Sequence, residues 1–340
     1  MTGIRAIGVK DVAQHAGVSV GTVSNVLNRP GKVAPRTVQR VMRSIEELGF
    51  VRNDAARQLR AGTSTAIGLI VLDVRNPFFS SLTLGAEEHA GKAGFSILLG
   101  NSDEKSDREA AYLDLFEQQR MAGVLISPVG DVDARLERLR SRGTPAVLVD
   151  RLTPSGTFSS VSVDDVAGGM LAGRHLIDQG RRRIAFVGGP LSIRQVHDRL
   201  TGLQQAVGHM ADASIEIVTG DALTILEGRR CGEIIANRPA HERPDAIFAA
   251  NDLMALGVLQ ALVMLGSIRV PDDIALIGYD DIDFAAGAVV PLTSVRQPAA
   301  LLGSTAVELL LAEARDGATP GRSVVFQPEL VVRASTTQAR

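Results

Sequence analysis

The sequence predicts an N-terminal all-α helix-turn-helix head followed by a two-lobed α/β core. Two changes along the chain carry that reading. Up to about residue 65, apolar residues recur at helical spacing in three short runs; beyond it, strand-like apolar runs alternate with longer helical ones. Charge changes at the same place. Ten basic residues (Arg5, Lys10, Arg29, Lys32, Arg36, Arg40, Arg43, Arg52, Arg57, Arg60) and four acidic ones (Asp11, Glu46, Glu47, Asp54) give residues 1–65 a charge of +6, which against the total of −2 leaves −8 for the rest. A basic head on an acidic body fits a polyanion-binding module on a soluble carrier.

In the head, residues 10–16 predict a helix with Val12, Ala13 and Ala16 on one apolar face. Gly17-Val18 supplies a tight turn, for which Gly17 tolerates a left-handed backbone. Ser19 is suited to cap a second helix over 20–27, with Val23, Val26 and Leu27 buried, and Asn28-Arg29-Pro30-Gly31 stops it. A third helix is predicted over 36–48, with Val38, Val41, Ile45 and Leu48 inward and Gly49 at its end. Two short helices about a three-residue turn, then a third, make a helix-turn-helix plan. The outer face of the second helix carries Val20, Gly21, Thr22, Ser24 and Asn25, small or polar groups able to enter a major groove. Helical hairpins in enzymes imitate this pattern, so the basic charge supplies the second argument for DNA.

Residues 54–62 form a candidate hinge helix, capped by Asp54 and ended by Gly62. It is too short to be stable alone. Its one large apolar group, Leu59, is flanked by Arg57 and Arg60. Either the segment is a passive linker, or it orders on DNA with Leu59 wedged into the minor groove and the arginines on phosphate.

The core predicts strands over 67–72, 96–99, 123–127, 146–149 and 160–163, and a second set over 183–187, 215–218, 246–249 and 274–278. Helical stretches over 80–93, 108–119, 168–179 and 252–265 lie between them. Repeated βαβ units imply parallel sheets covered on both faces, and nine strands imply two doubly wound lobes. Ligands in such folds bind outside the carboxyl ends of the strands. Polar residues recur there: Asp73, Asn76, Asp150-Arg151, Asn251-Asp252 and Asp280-Asp281. Each alone has a plain explanation as a helix cap or loop residue; their recurrence at one end points to a polar pocket.

Several functions are excluded on residue patterns. The chain has no Gly-x-Gly-x-x-Gly after a strand, no phosphate-binding Gly-Lys-Ser/Thr loop and no His-Glu-x-x-His, so no enzyme, cofactor or catalytic residue is expected. The six histidines (His15, His89, His175, His197, His209, His241) lack metal-ligand spacing. Cys231, the one cysteine, cannot form an internal disulfide and reads as a packing residue. No apolar run of membrane-spanning length and no basic-then-apolar leader are evident, so a cytoplasmic protein is expected. A periplasmic-type solute-binding protein without regulatory role would explain the body but not the +6 head.

The residues resemble the lac repressor family. Residues 9–19 (VKDVAQHAGVS) with 22–28 (TVSNVLN) are similar to that family's head. Asn76-Pro77-Phe78-Phe79, Val149-Asp150-Arg151, Ala250-Asn251-Asp252, Val270-Pro271-Asp272-Asp273-Ile274, Gly278-Tyr279-Asp280-Asp281 and residues 291–298 (PLTSVRQP) follow in the family's order. The resemblance spans nearly the whole chain. It implies a head over 1–53, a hinge over 54–65, and a core over 66–340 resembling periplasmic sugar-binding proteins, with three crossings between lobes. Lobe 1 would cover about 66–164 with 292–325, and lobe 2 about 165–291. It also implies a ligand-responsive regulator, by default a repressor, bound as a homodimer to a near-palindromic operator. No heptad pattern follows Leu330 to suggest a coiled-coil tetramer. Carried over by position, Val20, Gly21 and Asn25 would read bases, and Ser19, Thr22 and Ser24 would meet phosphate or cap the helix. Leu59 matches the hinge leucine. In the cleft, Phe78 and Phe79 would offer an apolar platform, and Asp150, Arg199, Asn251, Asp280 and Gln297 would contact a sugar-like effector. One departure stands out: Ala222-Leu223-Thr224 replaces the aromatic residue found in many members before Glu227-Gly228, so one stacking wall is expected to be missing.

Overall fold

A computed structural model describes residues 7–50, 64–151, 156–208, 210–264, 268–316 and 321–337. The chain divides into two compact units, Met1–Gly62 and Thr63–Arg340. Residues 51–63, which include Arg52 and the hinge residues Arg57, Leu59 and Arg60, lie outside the described residues.

The first unit contains α1 (Val9–Ala16), α2 (Val20–Asn28) and α3 (Pro35–Leu48). The Gly8 amide donates to the Asp11 carboxylate at 2.8 Å, closing the first turn of α1. Gly17 then takes a left-handed conformation (φ 63°), which a side chain would resist, and turns the chain into α2. Val12, Ala13, Ala16, Val23, Val26, Val41 and Phe50 form the miniature core. Leu27, Val38, Ile45 and Leu48 are half-buried and pack around it.

The second unit holds two six-stranded sheets. In the first, β1 (Ala66–Val71), β2 (Ser96–Asn101), β3 (Gly123–Ile126), β4 (Ala146–Val149), β5 (Ser159–Val163) and β11 (Ser323–Phe326) take the order β11-β5-β4-β3-β1-β2. In the second, β6 (Arg183–Gly188), β7 (Ser214–Thr219), β8 (Ala246–Ala249), β9 (Ala275–Asp280), β10 (Thr293–Arg296) and β12 (Glu329–Val331) take the order β12-β10-β9-β8-β6-β7. Every pairing is parallel except β10 with β12. Central strands β3, β4, β8 and β9 are buried along their whole length, because helices cover both faces. Those helices include α4 (Pro77–Lys92), α5 (Ser106–Gln118), α6 (Asp133–Ser141), α7 (Asp165–Asp178), α8 (Arg194–Val207), α9 (Ile225–Ala236), α10 (Asp252–Met264), the short α11 (Asp283–Ala286) and α12 (Ala299–Asp316). Cys231 is buried on α9 in the apolar core of the second lobe.

The chain passes between sheets three times: from β5 to β6, from β10 to β11, and from β11 to β12. This moves one expected boundary. Residues 292–296 were assigned to lobe 1, but β10 pairs with β9 (Thr293 opposite Ile277, Arg296 opposite Asp280) and belongs to lobe 2. The crossing therefore falls after Arg296, and α12 packs against α4 of lobe 1.

Candidate functional site

In the second unit, a cavity of about 440 Å³ opens at the carboxyl ends of the strands. Its wall includes Asp73 and Asn76 after β1, Asp150 after β4, Asn251 after β8 and Asp280 at the end of β9. The plain and the functional readings of these positions coexist. Asn76 caps α4 by accepting from the Phe78 amide at 3.0 Å, and Asn251 accepts from the Met254 amide at 2.9 Å at the start of α10. Both also face the cavity. Asp252 and Asp281 do not. Asp281 pairs with Arg296 and Arg333. Asp252 is buried, accepting from Ser294 Oγ at 2.7 Å and from the Ile282 amide at 2.9 Å.

The backbone is strained where the aspartates enter. Asp150 (φ 56°), Asp280 (φ 102°) and Asp281 (φ 53°) all have positive φ. Such conformations cost on the order of 1–3 kcal/mol each and persist where surrounding contacts dictate them. At Asp150 and Asp280 those contacts include an amide from the opposite lobe, while Asp281 is held by Arg296 and Arg333. Gln195 Nε2, on α8, donates to the Asp150 carbonyl at 2.7 Å and to Asp150 Oδ2 at 2.9 Å. Asn76 Nδ2 donates to Asp280 Oδ2 at 2.9 Å, and Gln297 Nε2 to Asp280 Oδ1 at 2.7 Å. Gln297 is therefore tied to the site through Asp280 and is not on the cavity wall.

Arg199 is the single cation among the described residues of that wall. It projects from the interior of α8 and not from a strand end. Its Nε donates to Asp165 at 2.8 Å and its Nη1 to the Ala250 carbonyl at 2.7 Å; Nη1 lies 3.9 Å from Asp280. The guanidinium stacks 3.7 Å from the Tyr279 ring centre. Burial alone would lower the Arg199 pKa, but the charges of Asp165, Tyr279, Asp280 and Asp150 hold it above its ordinary value. The carboxylates outnumber it. Burial first, then the Asp165 charge, pushes Asp150 up to about 8. Asp165 and Asp280 are also raised by burial, against the pull of Arg199.

Phe78 and Phe79 close one side with rings 5.0 Å apart, edge to face. Leu223 and Ile193 form apolar wall from the second lobe, so Leu223 supplies an aliphatic surface where the resemblance led to the expectation of a missing stacking wall. Sequence reasoning missed Asp165, Gln195, Glu104 and Leu223 as site residues. Asp165 and Gln195 lie in the first turns of helices, and no local pattern marks them.

In the first unit, the second helix turns Val20, Gly21 and Asn25 outward while Val23 and Val26 are buried. Ser19 Oγ accepts from the Thr22 amide at 3.1 Å, so Ser19 is occupied as a helix cap. Ser24 is bonded through its carbonyl by Asn28 Nδ2 at 2.8 Å. Among the described residues no His/Cys/Asp/Glu cluster could hold a metal, and no helix is long and apolar enough to cross a membrane.

A helix-turn-helix unit on the same chain as a two-lobed core with a buried polar cleft defines a transcription regulator that carries its own ligand receptor. The comparisons place it more closely. Residues 8–53 match the lacI family of bacterial regulatory proteins, and residues 174–336 match the periplasmic binding protein-like domain. The HTH-type transcriptional repressor PurR of Photobacterium profundum is 34% identical over 96% of this chain and 98% of its own. Among solved structures, the lac repressor dimer bound to operator and the anti-inducer ONPF is 28% identical with a TM-score of 0.83, covering 98% of this chain and 99% of its own. The transcriptional regulator CelR in complex with cellobiose is 32% identical with a TM-score of 0.71, covering 97% and 99%. The chain belongs to the lacI family of bacterial regulatory proteins. It is a ligand-responsive DNA-binding repressor, and the enzyme and solute-carrier readings are set aside.

Proposed function

We propose that two copies of this chain bind a near-palindromic operator and that an uncharged, sugar-like effector in the inter-lobe cleft adjusts their grip on it. The observation that carries this is the set of amides reaching from one lobe to an aspartate of the other, because a molecule bound among them must alter how the lobes meet. Carboxylates and amides suit paired hydroxyls, Arg199 donates, and Phe79 with Leu223 offers apolar surface. Asp150, Arg199, Asn251 and Asp280 contact the effector, Phe78 and Phe79 shape its platform, and Gln297 orients Asp280. Val20, Gly21 and Asn25 read base edges; Ser19, Thr22 and Ser24 set the helix and its phosphate contacts. Arg57, Leu59 and Arg60 of the hinge meet the operator, Leu59 in the minor groove. The protein works in the cytoplasm.

The dimer is supported by two matching edges. Strands β2 and β7 end their sheets on corresponding sides, and Leu98, Leu99 and Ile217 are exposed on them. Leu84 on α4 and Leu226 and Ile234 on α9 add further exposed apolar surface. Edge strands with apolar side chains are sound only when covered, and a second copy covers both.

The test is reciprocity. A thermal-shift panel of neutral sugars and purine bases selects the effector, and calorimetry then measures its affinity with and without operator. Operator and effector change each other's affinity by one common factor, typically about 5–150-fold. Asp280→Ala abolishes that coupling. Equal effector affinity with and without operator would overturn the reading.

A further inference from the structure

The cleft has a neighbour. A second cavity of about 630 Å³ lies beside it and shares four wall residues with it: Leu72, Glu104, Ile193 and Gln195. Past that wall, Pro128, Val129 and Pro190 give the second cavity an apolar side, beside Ser192 and Arg194, whose charge is paired with Asp198 at 2.9 Å. Nothing in the family's motifs points to it.

Of the four shared residues, Gln195 alone is hydrogen-bonded across the lobes. It is 6% exposed, and its amide nitrogen is held by two acceptors of one residue, the carbonyl and Oδ2 of Asp150. Turning the amide end for end would present oxygen to both acceptors and lose both bonds, so its orientation is fixed. Asp150 Oδ2 is thereby occupied, and Oδ1 is left buried without a hydrogen-bond partner. Oδ1 is the oxygen of Asp150 left open to a molecule in the inner cavity, which meets Gln195 as a wall.

We infer that Gln195 is a specificity-determining residue: it separates the two cavities, confines the effector to a single ring in the inner one, and keeps the outer one as a latent subsite for a second uncharged ring. This rests on the reading of the cleft as a sugar-like effector site. The outer lining suits the apolar face of a ring, and Glu104 on the shared wall opposes an anionic extension. Glu104 is itself raised by burial and then by the Asp73 charge, with the Arg75 charge pulling the other way.

The experiment compares D-ribose and D-glucose with cellobiose on the full-length protein by calorimetry, in wild type, Gln195→Ala and Gln195→Met. Wild type favours a one-ring sugar. Gln195→Ala joins the cavities and raises the ratio of cellobiose to one-ring affinity at least tenfold, since even one methylene of pocket space is worth about 10–200-fold in discrimination. Gln195→Met keeps the bulk without the amide, so its ratio stays within about threefold of wild type if the residue acts as a wall. Cellobiose binding gained only in Gln195→Ala supports the inference. An unchanged ratio in Gln195→Ala, equal shifts in both variants, or a wild type that binds cellobiose as tightly as the one-ring sugars overturns it while leaving the effector site standing. If no sugar binds any of the three proteins, the sugar reading of the cleft fails and this inference falls with it. Should Gln195→Ala melt too low for calorimetry, Gln195→Ser, which also shortens the wall, takes its place with the same expected and overturning ratios.

Discussion

The two lobes present the same device with different degrees of completion. Counted from the β2 and β7 edges, β4 and β9 are the fourth strand of their sheets. Each ends in an aspartate with positive φ, Asp150 and Asp280. Each aspartate is met by an amide from the helix that follows the first strand of the other lobe: Gln195 on α8 after β6, and Asn76 capping α4 after β1. The difference lies in what is left over. Asp280 has both oxygens bonded, by Asn76 and Gln297, with Arg199 3.9 Å away. Asp150 keeps Oδ1 buried and unpartnered and is pushed up to about 8 by burial and by Asp165. The second lobe's aspartate is held by its surroundings; the first lobe's keeps one oxygen free for a ligand.

The largest way to break this comparison is to remove the cation that serves mainly the second lobe. Arg199→Ala strands Asp165 and Asp280, both buried, and taking one partner from a buried ion pair costs about 3–5 kcal/mol. Asp150→Ala leaves Gln195 its bond to the carbonyl of residue 150 and costs no more than about half of that. Urea unfolding of the two variants measures both. Equal losses would mean that Asp150 is as firmly built in as Asp280.

A smaller effect per step is set by protons. The folded Asp150 pKa, about 8, lies above the ordinary carboxylate value, so the folded state binds more protons than the unfolded one between roughly pH 4 and 8. Stability from this group is present at low pH and falls as pH rises through that window, by at most about 1.4 kcal/mol per pH unit. Asp165 and Asp280, raised in the same direction, add to the slope. Asp150→Asn removes its share, so urea midpoints followed from pH 5 to pH 8 decline less steeply in the variant. Parallel curves would place the uncompensated charge elsewhere in the cluster.

The symmetry explains how much of this was legible beforehand. Asp73, Asn76, Asp150, Asn251 and Asp280 could be read because they end strands, and strand ends follow from apolar runs alone. Gln195 could not, since a polar residue in a helix is equally at home in solvent, and Arg199 was readable only through the family resemblance; tertiary packing buries both. Strands β10, β11 and β12 are short and broken by polar residues (TSVR, SVVF, ELV), unlike the equally short apolar runs of β3, β4 and β8, so nine strands are legible and residues 292–296 are misplaced. The head was read almost in full because its helices are short-range structures punctuated by Gly17, Pro30 and Gly49.

The finest test separates the two duties of Asn76. Its Oδ1 accepts from the Phe78 amide and so caps α4, while its Nδ2 reaches across the cleft to Asp280. Serine caps a helix about as well as asparagine, so Asn76→Ser keeps the first duty, but its side chain is too short for the second. Asn76→Ala loses both. The serine variant therefore isolates the cross-lobe bond, at about 1 kcal/mol, and the alanine variant adds a further cost of about 1 kcal/mol for the cap. In the serine variant Gln297 still holds Asp280 Oδ1, so the second lobe's aspartate remains oriented and effector affinity drops less than in Gln195→Ala, where Asp150 loses its only side-chain donor. Urea unfolding and calorimetry on the same three proteins give both quantities. An affinity loss in Asn76→Ser as large as in Gln195→Ala would mean that the two lobes hold their aspartates alike, and that the free oxygen of Asp150 is no guide to where the effector binds.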